Sequence, residues 1–119
     1  DKIKNFPKDS HFCIFDELYS GTNPYEAISS AYSYLTHISK NKNVKFMLTT
    51  HFIRLCSLLE KDKNIINKSM KTTVINNNPD YTYKITNGIS KIKGGVCVLK
   101  QLHYPQKIID TTTKVLEKL

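Results

Sequence analysis

The sequence predicts an α/β fold built around a parallel sheet, and three neighbouring segments carry that prediction. Residues 11–15 (HFCIF) and 44–48 (VKFML) are short, nearly continuous apolar runs, which are typical of strands covered on both faces. The segment between them places apolar side chains on one face at helical spacing, at Ala27, Ile28, Ala31, Leu35 and Ile38. A strand, a helix and a strand of these lengths form a βαβ unit, in which the two strands run parallel.

The helix of this unit has a clear start, because Asn23 is a good N-cap residue and Pro24 fits the first helical position. Residues 52–59 (FIRLCSLL) predict a short helix after the second strand. Residues 65–75 and 81–89 predict two further strands, joined at the turn-forming stretch NNNPD. These two strands are expected to form an antiparallel hairpin at the edge of the sheet.

Two helices are predicted at the carboxyl end of the chain. One begins at Gly94 and ends before the sequence HYP, and Pro105 starts the other. The last helix carries an apolar stripe that is expected to pack on its own domain, made of Ile108, Ile109, Thr112, Val115, Leu116 and Leu119. No repeat or linker is visible, so residues 1–119 are treated as one domain.

The composition is that of a globular chain. Its 119 residues are 39% hydrophobic, which suffices for one domain or for part of a larger one. No apolar run approaches the roughly 18–20 residues that a membrane span needs. The sequence therefore predicts an intracellular protein with no membrane partner, without distinguishing cytoplasm, nucleus, organelle or viral factory.

The net charge of +8 raises the question of a nucleic-acid partner. Only Arg54 is an arginine, and the lysines are scattered along the chain rather than gathered in one run. This distribution favours a solvated basic surface, with direct nucleic-acid contact by the lysines as the alternative.

The three cysteines, Cys13, Cys56 and Cys97, lie far apart and form no C-x-x-C pair. Each has apolar neighbours in the sequence, which is typical of a buried, reduced cysteine. Neither a disulfide nor a cysteine metal site is predicted.

Asp16 and Glu17 follow the first apolar strand directly. A buried strand that ends in Asp-Glu is the Walker B arrangement of P-loop nucleotide hydrolases, and it lies at the carboxyl edge of a parallel sheet, where α/β proteins bind ligands. Asp16 can hold Mg²⁺ through water, since this ion prefers oxygen ligands. Glu17 can polarise the water that attacks the γ-phosphate. The alternative is a strand end with two solvated acids.

His51 follows the second strand in the sequence TTH. Since the carboxyl ends of neighbouring parallel strands meet at one sheet edge, His51 is expected close to Asp16 and Glu17. A histidine there can hydrogen-bond the γ-phosphate or the attacking water and so respond to the nucleotide state. His11, His37 and His103 lack such a position and are predicted to be structural or surface residues.

The loop between Glu17 and the first long helix is the third candidate feature, formed by Ser20, Gly21, Thr22 and Asn23. Gly21 is suited to a tight turn near a ligand, and the capped helix start offers free backbone N–H groups. In ABC-type ATPases this segment is the D-loop, which faces the partner subunit across a shared nucleotide. The alternative is an ordinary strand-to-helix turn.

Together, these features resemble the carboxyl-terminal half of the ATPase domain (domain V) of the MutS family of DNA mismatch repair proteins. The segment YKITNGISKIKGGVCVLKQLHYPQKII is similar to the family's passage from an edge strand through a turn to a helix, with Gly88, Gly95 and Pro105 at the family's Gly, Gly and Pro positions. The resemblance extends from Ser10 onward. The differences from the family pattern, mainly in the loop at 18–24, indicate a divergent branch, viral or organellar.

The resemblance implies a partial P-loop ATPase domain of the ABC type that uses ATP and Mg²⁺. In it, Asp16 would bind Mg²⁺ through water, Glu17 would be the catalytic base and His51 the switch histidine. Residues 20–23 would form the D-loop at the dimer interface. The family's proteins act as homodimers or heterodimers on DNA, and they couple ATP turnover to mismatch recognition and clamp signalling.

The Walker A motif, G-x-x-x-x-G-K-[ST], does not occur in this sequence. It and the mismatch-binding domain are expected upstream, so these 119 residues alone are expected to bind ATP weakly or not at all and to be inactive. Three alternatives stay open: a lysine-rich nucleic-acid-binding module, another ABC-type ATPase of DNA maintenance or transport, and a degenerate domain kept for dimerisation.

Overall fold

The computed structural model describes residues 2–119. Within them it contains five helices and four strands, and the chain divides into two compact units, Asp1–Asn67 and Lys68–Leu119. In chain order the elements are α1 (Lys2–Asn5), β1 (His11–Asp16), α2 (Pro24–Ile38), β2 (Val44–Thr49), α3 (Ile53–Leu59), β3 (Lys68–Ile75), β4 (Asn78–Asn87), α4 (Gly94–Gln101) and α5 (Gln106–Leu116).

The first unit contains the predicted βαβ arrangement. Strands β1 and β2 pair in parallel, with a register that runs from His11 opposite Val44 to Asp16 opposite Thr49. Helix α2 begins as expected, because the side chain of Asn23 accepts a hydrogen bond from the backbone N–H of Tyr25 at 2.9 Å and Pro24 is the first helical residue. This cap satisfies one of the backbone donors that a helix start leaves free.

The core of the first unit lies between the parallel strands and helices α2 and α3. The side chains of Leu35 and Leu55 are the largest ones that are fully buried, and each is worth about 2 kcal/mol of burial free energy. The buried cluster comprises Ala31, Leu35, Ile38, Val44, Leu55 and Leu59. Phe15 also contacts this cluster, and its ring packs edge-on against the ring of Tyr34 at 5.9 Å.

The prediction that the strands are covered on both faces is wrong. Burial alternates along both strands, and the side chains of Phe12, Ile14 and Met47 are 65%, 73% and 60% exposed. Helices α2 and α3 pack on the opposite face, where Cys13, Phe15, Phe46 and Leu48 contact the core. An apolar run indicates that side chains favour burial, but it does not supply an element to cover them.

The second unit contains the predicted antiparallel hairpin, but the prediction that it forms the edge of the parallel sheet is wrong, because among residues 2–119 β3 and β4 pair only with each other. The predicted turn was too long. The strands are joined by Asn76 and Asn77 alone, at φ values of 51° and 63°, and Pro79 lies within β4 opposite Val74. Two successive positive φ values are those of a type I′ turn, which suits the twist of a two-stranded hairpin and which asparagine tolerates well.

Helices α4 and α5 complete the second unit. Their buried apolar residues are Val96 and Ile109, and Lys93 before α4 forms an ion pair with Glu117 after α5 at 3.8 Å. The prediction that the whole apolar stripe of the last helix packs on its own domain is wrong. Val115 is 50% exposed and Leu119 is 88% exposed.

The structure also bears on the cysteines and on membranes. All three cysteines are free thiols, and each is partly rather than fully buried. Burial is the main cause that raises the pKa of the Cys56 thiol. In the part of the chain that the structure describes, no helix is long and apolar enough to cross a membrane.

Candidate active site

The carboxyl ends of β1 and β2 lie side by side, with Asp16 directly opposite Thr49. The hydroxyl of Thr49 donates a hydrogen bond to Oδ1 of Asp16. The other carboxylate oxygen of Asp16 has no hydrogen-bond partner among residues 2–119, and the side chain is exposed. One oxygen of Asp16 is thus fixed by the neighbouring strand while the other faces solvent.

Glu17 is held at the same edge by its backbone. Its N–H donates to the carbonyl of Thr49 at 2.9 Å and also lies 3.3 Å from the Thr49 hydroxyl. The residue has a φ of 49°, in the left-handed region, which costs a non-glycine residue about 1–2 kcal/mol. Because this conformation breaks the alternation of the strand, the side chains of Asp16 and Glu17 are not forced onto opposite faces of the sheet.

His51 lies against Glu17, as the strand order predicts. Its Nε2 is 2.8 Å from Oε1 of Glu17, and the side chains are 89% and 45% exposed, respectively. The contact is a hydrogen bond when the neutral ring carries its proton on Nε2 and an ion pair when the ring is protonated. His51 therefore reaches the Asp16–Glu17 edge from the adjacent strand.

The other histidines are placed elsewhere. The Nε2 atom of His11 lies 2.8 Å from the carbonyl of Phe6, to which it donates a hydrogen bond. His37 and His103 are exposed. This matches their expected structural and surface positions.

The loop after Glu17 is compact but does not depend on its glycine. The N–H of Ser20 donates to the carbonyl of Glu17 at 3.0 Å, and that of Thr22 lies 3.4 Å from the carbonyl of Tyr19. The left-handed residues are Glu17 and Tyr19, whereas a Cβ added at Gly21 would meet no atom within 4 Å. Gly21 lies in this turn as expected, but the turn does not require a glycine there, because Tyr19 adopts the left-handed conformation instead.

The donor atoms at this edge suit a hard cation held through water. They are carboxylate and hydroxyl oxygens from Asp16, Glu17 and Thr49, which is the ligand chemistry that Mg²⁺ prefers. No group of three or more His, Cys, Asp or Glu residues able to hold a metal occurs within residues 2–119. Asp16 would thus supply one protein oxygen, and water and substrate oxygens would have to complete the octahedron.

Thr49 was not predicted as part of the site. The signal was present in the sequence, since Thr49 ends the second strand as Asp16 ends the first. The hydrogen bond follows from the register of the two strands, which the sequence does not specify to the residue.

Comparison with known proteins shows the family to which the chain belongs. The sequence profile of MutS domain V matches residues 2–119. The chain is 30% identical over 119 residues to the DNA mismatch repair protein MutS of Clostridium perfringens, and the match covers 98% of the chain and 13% of that protein. It is 26% identical over 117 residues to MutS of Finegoldia magna, and the match covers 98% of the chain and 14% of that protein. For MutS of Aquifex pyrophilus the identity is 27% over 106 residues, and the match covers 89% of the chain and 12% of that protein. The chain thus spans about an eighth of the length of these relatives.

Proposed function

Because this chain belongs to the MutS domain V family, we propose that it supplies the magnesium and water edge of an ATP-hydrolysing site in a DNA mismatch repair protein. In this proposal the fold is part of a P-loop ATPase domain of the ABC type. The single observation that supports it best is the 2.8 Å contact between Glu17 and His51, at the strand ends where Asp16 meets Thr49. If Asp16 and Glu17 were only solvated acids at a strand end, no histidine from the neighbouring strand would be expected to contact them.

Asp16 is assigned the role of holding Mg²⁺ through water. The hydrogen bond from the Thr49 hydroxyl orients its carboxylate and leaves one oxygen free for a water of the ion. The bound ion would offset charge on the phosphate oxygens of ATP. The residues present fit this role by chemistry, since the side chains of Asp16, Glu17 and Thr49 offer oxygen atoms, the ligands that Mg²⁺ prefers.

Glu17 is assigned the role of general base. Its carboxylate would accept a proton from the attacking water, a step that contributes typically 10²–10⁴-fold to a rate. Its backbone hydrogen bond to Thr49 fixes the start of the side chain. The side chain itself remains 45% exposed, so water and substrate can reach it.

His51 is assigned the role of a switch between nucleotide states. Its Nε2 contacts Oε1 of Glu17. A γ-phosphate oxygen would compete with the Glu17 carboxylate for the same N–H donor. Exchange of that donor would release the Glu17 carboxylate to act on water when ATP is in place.

The remaining roles belong to the whole protein. Ser20, Gly21, Thr22 and Asn23 are exposed and are assigned to the interface with a second subunit, in a homodimer or a heterodimer of the same family. DNA would be bound mainly by parts outside these 119 residues. ATP turnover would then couple mismatch recognition to clamp signalling.

Replacing Glu17 by Gln in a full-length protein that carries this segment tests the proposal. Steady-state ATP hydrolysis should fall by about 100-fold or more, while binding of Mg-ATP should persist, because glutamine keeps the size of the side chain. Glu26→Gln is the matched control, since Glu26 lies in the first turn of α2 and should leave hydrolysis within about twofold. Equal rates for the Glu17→Gln and wild-type proteins would refute the role of Glu17.

His51→Ala separates the switch from the base. It should slow hydrolysis less than Glu17→Gln does and should reduce the difference in affinity between ATP and ADP, because the donor that distinguishes them is gone. An unchanged ratio of the two affinities, measured by calorimetry, would refute the switch while leaving the role of Glu17 intact.

A further inference from the structure

A groove of about 540 Å³ lies on the first unit between the end of α2 and the segment that follows α3. We call it the basic groove. It is lined by Tyr32, Thr36, Lys40, Lys61, Asp62, Lys63 and Asn64. None of these residues belongs to the candidate active site, and none has been given a role above.

The two sides of the basic groove are tied together by Asp62. Its Oδ2 accepts a hydrogen bond from the hydroxyl of Ser39 at 2.8 Å, and its Oδ1 accepts one from the N–H of Asn64 at 2.9 Å. Each carboxylate oxygen therefore has a partner within the protein. Asp62 thus joins Ser39, at the end of α2, to the segment after α3.

The three lysines of the basic groove form no close ion pair within residues 2–119, and their nearest opposite charge is Asp62, whose pKa is lowered mainly by its hydrogen bonds from Asn64 and Ser39 and further by the charges of Lys40 and Lys63. The ion pairs in the described residues join His51 to Glu17 and Lys93 to Glu117, so Lys40, Lys61 and Lys63 have none. Three lysines against one aspartate leave an excess of positive charge, and that aspartate already accepts two hydrogen bonds. The free groups of the groove are mostly donors, which is the complement of an anion.

The side chains that line the basic groove favour phosphate over the carboxylates of a protein partner. It contains no aliphatic side chain and only one aromatic ring, that of Tyr32, whereas a protein partner would be expected to bury an apolar centre. Carboxylates are best matched by the two-pronged donor of arginine, but lysine binds phosphate well as a point charge. We propose that the basic groove binds the backbone phosphates of DNA, independently of base sequence.

The basic groove lies at the opposite sheet edge from the candidate active site. Lys40 sits between the end of α2 and the start of β2 at Val44, whereas Asp16 and Thr49 end the strands. Six-residue strands separate these edges by roughly 16 Å. DNA binding here needs no nucleotide and does not involve Glu17, so it can be tested separately from ATP hydrolysis.

The test measures the affinity of the 119-residue chain for a fluorescent DNA duplex of about 20 base pairs and random sequence, by anisotropy over a series of salt concentrations. The groove variant carries Lys40→Gln, Lys61→Gln and Lys63→Gln. The control variant carries Lys2→Gln, Lys4→Gln and Lys8→Gln, which removes the same charge from the same unit. A third variant with arginine at positions 40, 61 and 63 keeps the charge of the groove.

The groove variant should bind at least about tenfold more weakly at low salt, and the slope of log K against log salt should fall by about 2–3. The control and arginine variants should stay within about threefold of wild type. Equal losses in the groove and control variants would overturn the proposal, because net charge alone would then explain binding. Displacement by polyglutamate as effective as that by unlabelled DNA would also overturn it, in favour of an acidic protein partner.

Discussion

Thr49 donates its hydroxyl hydrogen to Asp16 across the ends of two parallel strands, while its own carbonyl accepts the N–H of Glu17 at 2.9 Å. A single threonine thus positions both acids of the candidate site. The acids are consecutive in the chain, but their common anchor lies on the other strand. Any change of register between β1 and β2 would separate Thr49 from both acids.

Thr49→Val tests this anchor, because valine keeps the branched shape of threonine and removes the hydroxyl. The free energy of unfolding should fall by about 0.5–1 kcal/mol, the worth of one solvent-accessible hydrogen bond to a charged group. Urea denaturation followed by circular dichroism measures it. Thr49→Ser restores the donor and should recover at least half of the loss. Equal values for the valine and serine variants would show that the hydroxyl does not hold Asp16.

The core prediction uses two leucines of the same helix. Leu55 is 1% exposed and Leu58 is 38% exposed. Leu55→Ala should lower the free energy of unfolding by about 2–5 kcal/mol, because it leaves a cavity among well-packed neighbours. Leu58→Ala should cost less than about 1 kcal/mol, since much of that side chain stays in water. If the two variants unfold at the same urea concentration, the assigned inner face of α3 is incorrect.

Asp62 is expected to make the free energy of unfolding depend on pH under acidic conditions. The hydrogen bond from the backbone of Asn64, then that from Ser39, holds the pKa of its carboxyl below the ordinary value of 3.8. The folded state therefore favours the ionised form. The resulting stabilisation is complete well above pH 3.8 and is lost as the pH falls through the lower pKa of the folded state.

Asp62→Asn should remove this contribution. Around neutral pH the free energy of unfolding of the Asp62→Asn variant should lie below that of the wild type by a constant amount. This difference should shrink as the pH falls below about 4. Ser39→Ala is the milder comparison, because it deletes one of the two hydrogen bonds and should raise the pKa of Asp62 toward its ordinary value. An NMR titration of the Asp62 carboxyl, with stability measured in parallel, checks both. A gap that stays constant down to the acid transition would contradict the assignment.

The βαβ unit was predictable because several local signals agree. The apolar face of α2 has helical spacing, Asn23 caps its start and the flanking strands are apolar and short. The end of the hairpin was less predictable, because the sequence NNNPD offers more than one turn. Asn76 and Asn77 form the tightest one, and Pro79 is accommodated within β4.

Burial was the weakest part of the prediction. The apolar side chains of Phe12, Ile14 and Val115 favour burial, yet they are 65%, 73% and 50% exposed. Periodicity states which residues share a face, but it does not state whether another element covers that face. The same reasoning explains the site. Strand order brought His51 to Glu17, whereas the Thr49 hydrogen bond required the register as well.

At Glu17, whose backbone is left-handed, the residue that would be best for the stability of the fold differs from the residue that the proposed chemistry needs. Glycine would adopt that conformation without strain and would be expected to stabilise the fold by about 1 kcal/mol. It would also remove the carboxylate that contacts His51. A screen that selects only for thermostability would therefore favour substitutions that remove the Glu17 carboxylate from the site. Position 17 should be kept as Glu in such engineering.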